Sequence, residues 1–362
     1  MRVAVLIVLV LLAGCAPRAT LAPAPEAALD LPTRAVFVST LRSAEGAGFG
    51  AGRATAPAYL RLDLTRPPER SPGAVRGSGR APDPATDFLV ADTARFADAT
   101  AFCRELRAAL ATAPTRREAI VYVHGFNNSF DESVLRLAQI ADDFRMGGVA
   151  VNYAWPSAAH PLAYVYDRDS LMIARDGLDE LISELRAAGA DSIILVAHSV
   201  GSMLVMETLR QRAIARPGSV ARDIAGVILI SPDLDVDLFR AQATRIGSLP
   251  EPFGIFVSRR DRVLALSARL TGARQRLGNL SGASAVADLD VTVLDVTDFS
   301  SGAGHFTAAS SPALIRLFER AGDFDAAFRG DSAGRAGLFP GAVLTVQNAT
   351  EIVLSPLAAA SN

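Results

Sequence analysis

From Ala119 onward, short apolar runs alternate with stretches of helical periodicity. The runs are Ala119–Val123, Val149–Trp155, Ser192–Val196, Gly226–Ser231, Phe253–Ser258 and Val291–Val296. Between them, Asp131–Phe144 repeats apolar residues at helical spacing (Val134, Leu137, Ala138, Ile140, Ala141, Phe144), as do Leu171–Ala188 and Met203–Ala213. Strands that are apolar on both faces must be covered on both faces, and strands joined through helices run parallel. The pattern predicts an α/β fold, a mostly parallel central sheet with helices on both faces. Such sheets bind ligands at the carboxyl ends of their strands, so the residues just after each run are where function is expected.

The run Ser192–Val196 is followed at once by Ala197-His198-Ser199-Val200-Gly201, and a helical pattern begins directly after it. Strand, serine, helix is the layout of a nucleophile elbow, where bulky residues two positions before or after the serine would clash. Ala197 stands where glycine is more usual. A serine hydroxyl is a poor nucleophile at neutral pH and needs a base, which in turn needs an orienting group. The chain has four histidines. Of these only His305 follows Ser199, in a loop after the last strand, and it is the expected base. His198 adjoins the serine and is expected to pack or hydrogen-bond locally, because neighbours on a tight turn point apart. The acid should follow a strand between Ser199 and His305. Asp261, after the second strand beyond the elbow, is the first choice, and Asp233 and Asp235, after the first, remain alternatives.

The oxyanion formed in acyl transfer needs preorganised donors, each contributing on the order of 3 kcal/mol to the barrier. One is the N–H of the residue after the nucleophile, here Val200; the other comes from a loop after an earlier strand. His124-Gly125-Phe126 follows the Ala119–Val123 run, so the Phe126 N–H is the expected second donor. No paired His/Asp motif at metal-ligand spacing is present, and no metal or cofactor is expected. Cys103 falls within a helical apolar pattern (Phe96, Ala99, Phe102, Leu106, Leu110), which fits a small buried hydrophobe rather than a nucleophile.

Three segments together, Val121-Tyr122-Val123-His124-Gly125-Phe126-Asn127-Asn128-Ser129-Phe130, Ala197–Gly201 and Ser258-Arg259-Arg260-Asp261, resemble the bacterial α/β-hydrolase family known as domain of unknown function 900. The resemblance spans about Arg34 to Arg320. It departs in carrying Val200 where methionine is common, a mild change where only a backbone amide is used. It implies the α/β-hydrolase fold and a Ser-Asp-His triad, and leaves the substrate open.

The N-terminus carries a second signal. Met1-Arg2 precedes ten unbroken apolar residues, Val3–Leu12, and Leu12-Ala13-Gly14-Cys15 closes the run. Ten residues are too few to span a bilayer and fit a cleaved signal. The tetrapeptide resembles the bacterial lipobox, which implies lipidation of Cys15, and Ala16 after it implies sorting to the outer membrane, facing the periplasm. The expected organisation is a lipoprotein signal peptide over 1–15, an Ala/Pro-rich tether over 16–33, the hydrolase domain over 34–330, and a C-terminal extension over 331–362 with two short β runs that could form a hairpin. All 36 basic residues are arginine, scattered rather than blocked, and the net charge is −2. That balance gives no general attraction to nucleic acid.

These readings converge on a serine hydrolase of the cell envelope, a carboxylesterase or lipase whose partners are a small-molecule or lipid ester and, through the anchor, a membrane. The alternatives are a non-catalytic envelope scaffold that retains the fold and an acyltransferase using the same triad.

Overall fold

A computed structural model of the protein describes residues 18–75, 81–115, 117–272, 275–300, 304–321 and 341–355. The signal run and Cys15 lie outside the described residues. The strands are β1 (Thr33–Glu45), β2 (Gly48–Thr65), β3 (Val90–Phe96), β4 (Glu118–Val123), β5 (Val149–Ala154), β6 (Ser192–His198), β7 (Gly226–Ile230), β8 (Phe253–Val257), β9 (Thr292–Asp295), β10 (Gly341–Val346) and β11 (Ala349–Leu354). The α-helices are α1 (Ala99–Thr112), α2 (Phe130–Asp143), α3 (Tyr164–Ala187), α4 (Gly201–Ala215), α5 (Ser219–Asp223), α6 (Val236–Ile246), α7 (Arg262–Thr271), α8 (Thr307–Ser310) and α9 (Pro312–Ala321).

The strands form one sheet in the order β10-β11-β9-β8-β7-β6-β4-β5-β1-β2-β3. Neighbours from β1 through β5, β4, β6, β7, β8 and β9 to β11 run parallel, while β1–β2, β2–β3 and β10–β11 are antiparallel. This is the α/β-hydrolase arrangement expected, a mostly parallel sheet covered on both faces. Alternate residues of each strand feed opposite layers, as the strand period of two requires. Val121 and Val123 join Phe37, Phe102, Trp155, Leu178 and Leu195 on one side; Ile120 and Tyr122 join Val36, Val38, Val134 and Leu294 on the other.

The order fixes where chemistry can occur. The chain steps from β4 outward to β5, then returns across β4 to pair β6 on its other side. That reversal opens a crevice at the carboxyl ends of β4 and β6. Their register sets Val123 opposite Ala197. The loops that follow, His124-Gly125 and His198-Ser199, therefore leave the sheet side by side.

One expectation is corrected. The segment 16–33 is not a free tether from Arg18 onward. The Leu21 N–H donates to Asp131 at 3.0 Å, the Ala24 N–H to the Val90 carbonyl at 2.8 Å, and Ala19 and Ala28 are buried. Its alanines fill gaps against the domain, a role that composition alone does not reveal. The Gly- and Arg-rich stretch after Gly46 contains the long strand β2, because β1 and β2 pair over nearly their whole length and supply the hydrogen bonds that glycine-rich sequence does not promise. At the other end, β10 and β11 form a hairpin whose β11 pairs with β9, so the tail continues the main sheet.

Among the described residues no helix is long and apolar enough to cross a membrane. Phe102 is fully buried, with its ring 4.7 Å from that of Tyr59, 5.8 Å from Phe96 and 5.9 Å from Phe37. Phe102→Ala should lower the urea-unfolding free energy by about 3–5 kcal/mol through lost transfer energy and the cavity left behind. A change below about 1 kcal/mol would mean that the aromatic cluster does not hold α1 to the sheet.

Candidate active site

β6 ends at His198, and Ser199 adopts φ of 53°, the left-handed region that costs a non-glycine residue about 1–2 kcal/mol. The turn is clamped from both sides. The Ser199 N–H donates to the Ile230 carbonyl at 3.0 Å, and the Asp233 N–H donates to the Ser199 carbonyl at 3.1 Å. Helix α4 then starts at Gly201 without a side-chain cap. Glycine is required there: an added Cβ would lie 2.5 Å from the His124 carbonyl oxygen and 2.6 Å from that of Val123. Gly125 is the matching contact on the other loop, since a Cβ there would lie 2.9 Å from Ser199 Cβ and 2.7 Å from His198 Nδ1. The two glycines let the loop after β4 press directly on the elbow.

The structure brings Ser199, His305 and Asp261 together in one chain of hydrogen bonds. His305 Nε2 lies 2.9 Å from Ser199 Oγ, and His305 Nδ1 lies 2.8 Å from Asp261 Oδ2. The second carboxylate oxygen, Asp261 Oδ1, accepts the Leu264 N–H at 3.0 Å and so caps the N-terminus of α7. Asp261 is buried while the His305 side chain keeps 17 % exposure, so the chain opens to solvent only at its serine–histidine end. The loops that carry His305 and Asp261 are tied to each other. Asp295 binds the Arg259 guanidinium at 2.5 Å, the Arg259 N–H donates to Thr297 Oγ1 at 2.9 Å, and the Ser258 and Ser300 hydroxyls are 2.6 Å apart.

The alternative acids are engaged elsewhere. Asp233 accepts the Ser267 hydroxyl at 2.8 Å and pairs with Arg276 at 3.0 Å. Asp235 caps α6 by accepting the Asp237 and Leu238 N–H groups. Neither contacts His305. Phe126 sits in the loop against the elbow, its ring 5.5 Å from that of Tyr164. The Phe126 and Val200 N–H groups donate to no acceptor among the described residues.

The other histidines have separate places. His198 packs edge-on against Phe306, with ring centroids 4.4 Å apart, and lies behind His305 at 4.9 Å. Burial first, then the neighbouring His305, holds its pKa well below the ordinary histidine range. His124 is buried and stacked on Trp155 at 4.8 Å. Burial, reinforced by the Arg42 guanidinium, pushes its pKa down to about 3. His160 is exposed in the loop before α3. Cys103 is half-buried, donates toward the Glu184 carbonyl and has its pKa raised by burial, which leaves the thiol protonated and unreactive.

Sequence reasoning missed the support behind the loop. Arg42, from β1, is buried and donates to the Ser157 carbonyl at 2.9 Å and the Asn128 carbonyl at 2.7 Å. Desolvation lowers its pKa to about 10, so it stays charged at neutral pH. Asp167 accepts the Ser157 hydroxyl at 2.6 Å and the Ala158 N–H at 2.7 Å. A lone arginine in a strand gives no signal of such a role, because the partners lie on loops far along the chain. Among the described residues no group of three or more His, Cys, Asp or Glu side chains is placed to hold a metal ion.

Gly201→Ala should cost about 1–3 kcal/mol in urea unfolding by overpacking against backbone; an unchanged midpoint would mean that the two loops are not in contact. Both buried histidines resist protonation when folded and accept it when unfolded. Stability contributed by their neutrality is present above the unfolded pKa of about 6.5 and is lost as pH falls below it, by at most about 1.4 kcal/mol per pH unit for each. For His124 the loss continues toward a pH of about 3. Unfolding free energies between pH 7 and pH 5 should therefore fall, and more shallowly in His124→Gln. A slope that the substitution leaves unchanged would contradict the assignment.

A search of curated proteins returned no match. Solved structures similar to the chain include a predicted CIB-like hydrolase from Thermoplasma acidophilum (17 % identity, 57 % of this chain and 86 % of that one, TM-score 0.35). They also include a hyperthermophilic esterase from the archaeon Pyrobaculum calidifontis (13 %, 81 % and 84 %, TM-score 0.39) and a Pyrococcus furiosus esterase (9 %, 84 % and 95 %, TM-score 0.36). At these scores and identities they carry no functional argument. The family described as alpha/beta hydrolase of unknown function (DUF900) matches residues 98–321, more than half of the chain and the span from the start of α1 through α9. The chain belongs to that α/β-hydrolase family.

Proposed function

We propose that the protein is a serine hydrolase acting on carboxylic esters, with Ser199 as nucleophile, His305 as general base and acid, and Asp261 as its orienting partner. The observation that carries this reading is the continuous Ser199–His305–Asp261 hydrogen-bonded chain, at 2.9 and 2.8 Å, on loops that follow three different strands. Ser199 Oγ attacks the ester carbonyl carbon as His305 Nε2 takes its proton. Asp261 steadies the imidazolium through Nδ1. The Phe126 and Val200 amides hold the oxyanion, an assignment favoured by their lack of other acceptors among the described residues. Collapse expels the alcohol, which takes the proton from His305, and water repeats the sequence on the acyl-serine. His198 and His124 take no part, because their ring nitrogens face backbone carbonyls rather than the Ser199 hydroxyl and burial disfavours the protonated ring that a general base must become. We further propose that the apolar run Val3–Leu12 is a cleaved signal and that Cys15 then carries a lipid anchor, with the enzyme on the outer membrane facing the periplasm.

Hydrolysis of p-nitrophenyl esters of graded chain length tests the assignment. Ser199→Ala and His305→Ala should lower kcat by several orders of magnitude, on the order of 10⁶-fold. Asp261→Asn should cost about 10⁴-fold by removing the tautomer control, while asparagine still caps α7 and keeps the fold. Asp235→Asn should stay within about tenfold of wild type. Wild-type turnover by Ser199→Ala, or an Asp235→Asn loss equal to that of Asp261→Asn, would overturn it.

A further inference from the structure

Arg18 Nη2 donates to Asn127 Oδ1 at 2.5 Å, and Arg18 Nη1 donates to Glu132 at 2.7 Å and to the Asn127 carbonyl at 3.2 Å. Asn127 directly follows Phe126 in the loop against Ser199. Cys15 is three residues upstream of Arg18, so an extended chain separates the two by at most about 11 Å. A lipid on Cys15 would therefore enter its membrane beside the mouth of the site.

The mouth itself carries large apolar side chains in the open. Helix α7 lies across the carboxyl ends of the strands. Its Ser267 binds Asp233, and its Leu264 packs at Gly278, which abuts the backbone of Ser231 and Pro232 just after β7. The opposite face of α7 holds Val263, Leu266 and Leu270, exposed by 41 %, 55 % and 77 %. Across the crevice, Tyr164 touches Phe126 and donates to Asp233 at 3.3 Å, and its neighbours Leu162 and Val165 are exposed by 80 % and 75 %. Isolated exposed apolar residues are ordinary, but five flanking one opening on the same edge of the sheet are not. Arg262 and Arg269 are exposed on the same helix, which gives α7 the apolar and cationic make-up of a helix that lies in the headgroup region of an anionic bilayer.

We infer that the catalytic mouth docks onto an anionic lipid bilayer, with α7 and the segment before α3 as its two contacts and the anchor at Cys15 holding that face toward the membrane. The inference rests on the anchored ester-hydrolase reading for its orientation and for its consequence, which is that the substrate is an ester presented at a lipid surface. A bilayer is favoured over a second copy of the chain because the tether would end beside this face and the exposed charges of α7, Arg262 and Arg269, are both cationic.

The chain matured at Cys15, whose thiol the lipid blocks, carries Cys103→Ala to leave one labelling site and a nitrobenzoxadiazole group at Leu266→Cys or, as a control, at Ile214→Cys near the end of α4, toward the opposite ends of the strands. Vesicles of phosphatidylcholine with phosphatidylglycerol should blue-shift the emission at position 266 and leave position 214 unchanged, with a smaller shift for phosphatidylcholine alone. The same result is expected in Ser199→Ala. No shift at position 266, an equal shift at both positions, or a shift before vesicles are added in a sample with the mass of a dimer would overturn the docking. Ester hydrolysis with no shift removes the docking alone. A shift in a protein that hydrolyses no ester removes the catalytic reading and leaves the docking.

Discussion

The contact between two backbone loops at the carboxyl ends of β4 and β6 governs the rest of the site. The register that pairs Val123 with Ala197 sets the following residues side by side, and only glycine at 125 and 201 allows the approach. Everything catalytic is referred to that contact. Ser199 is held in a left-handed conformation by hydrogen bonds to Ile230 at the end of β7 and to Asp233 just beyond it, and the Phe126 loop is held against it. The local strain of the elbow, about 1–2 kcal/mol, is small beside the burial that surrounds it and is tolerated because the neighbouring strands over-determine the turn.

Electrostatics then separates the histidines by role. Three of the four lie near the crevice, yet only His305 meets both a hydroxyl and a carboxylate. His198 and His124 are buried among carbonyls, aromatic rings and, for His124, the charged Arg42. A neutral imidazole has one N–H. In His124, Nδ1 faces the Gly125 carbonyl at 2.9 Å and Nε2 faces the Trp155 carbonyl at 3.0 Å, so the single N–H serves one of the two carbonyls, while Arg42 Nη2 at 3.5 Å from Nε2 disfavours a second proton. Proton transfer is thereby confined to one ring, and the buried pair acts as packing around it. Arg42 serves the loop differently: its guanidinium gathers the carbonyls of Ser157 and Asn128, which fixes the backbone on the far side of Phe126.

Much of this was legible in the sequence, for physical reasons that differ from residue to residue. The core strands β4 to β9 announced themselves because burial on both faces demands unbroken apolar runs. Ser199, His305 and Asp261 were legible because chemistry requires rare residue types directly after such runs, and chain order did the rest. The choice of Asp261 over Asp233 and Asp235 became unambiguous only with coordinates, since all three follow strands and differ in what they touch. The glycine-rich first half of β2 and the strand β3 offered no apolar run to read, because strand conformation there is imposed by pairing and not by propensity. The start of α3 at Tyr164 was read too late, at Leu171, because its exposed Val165 breaks the periodic pattern. The docking of residues 18–32 on the domain depends on single contacts such as Arg18 to Glu132, which no local pattern encodes.

The proposed chemistry needs Ser199 to be a nucleophile activated by His305. A fluorophosphonate probe reacts only with such an activated serine, and peptide mass spectrometry locates the adduct. One adduct is expected, on the peptide containing Ser199, with labelling abolished in Ser199→Ala and strongly slowed in His305→Ala. An adduct on another residue, or equal labelling of wild type and Ser199→Ala, would contradict it.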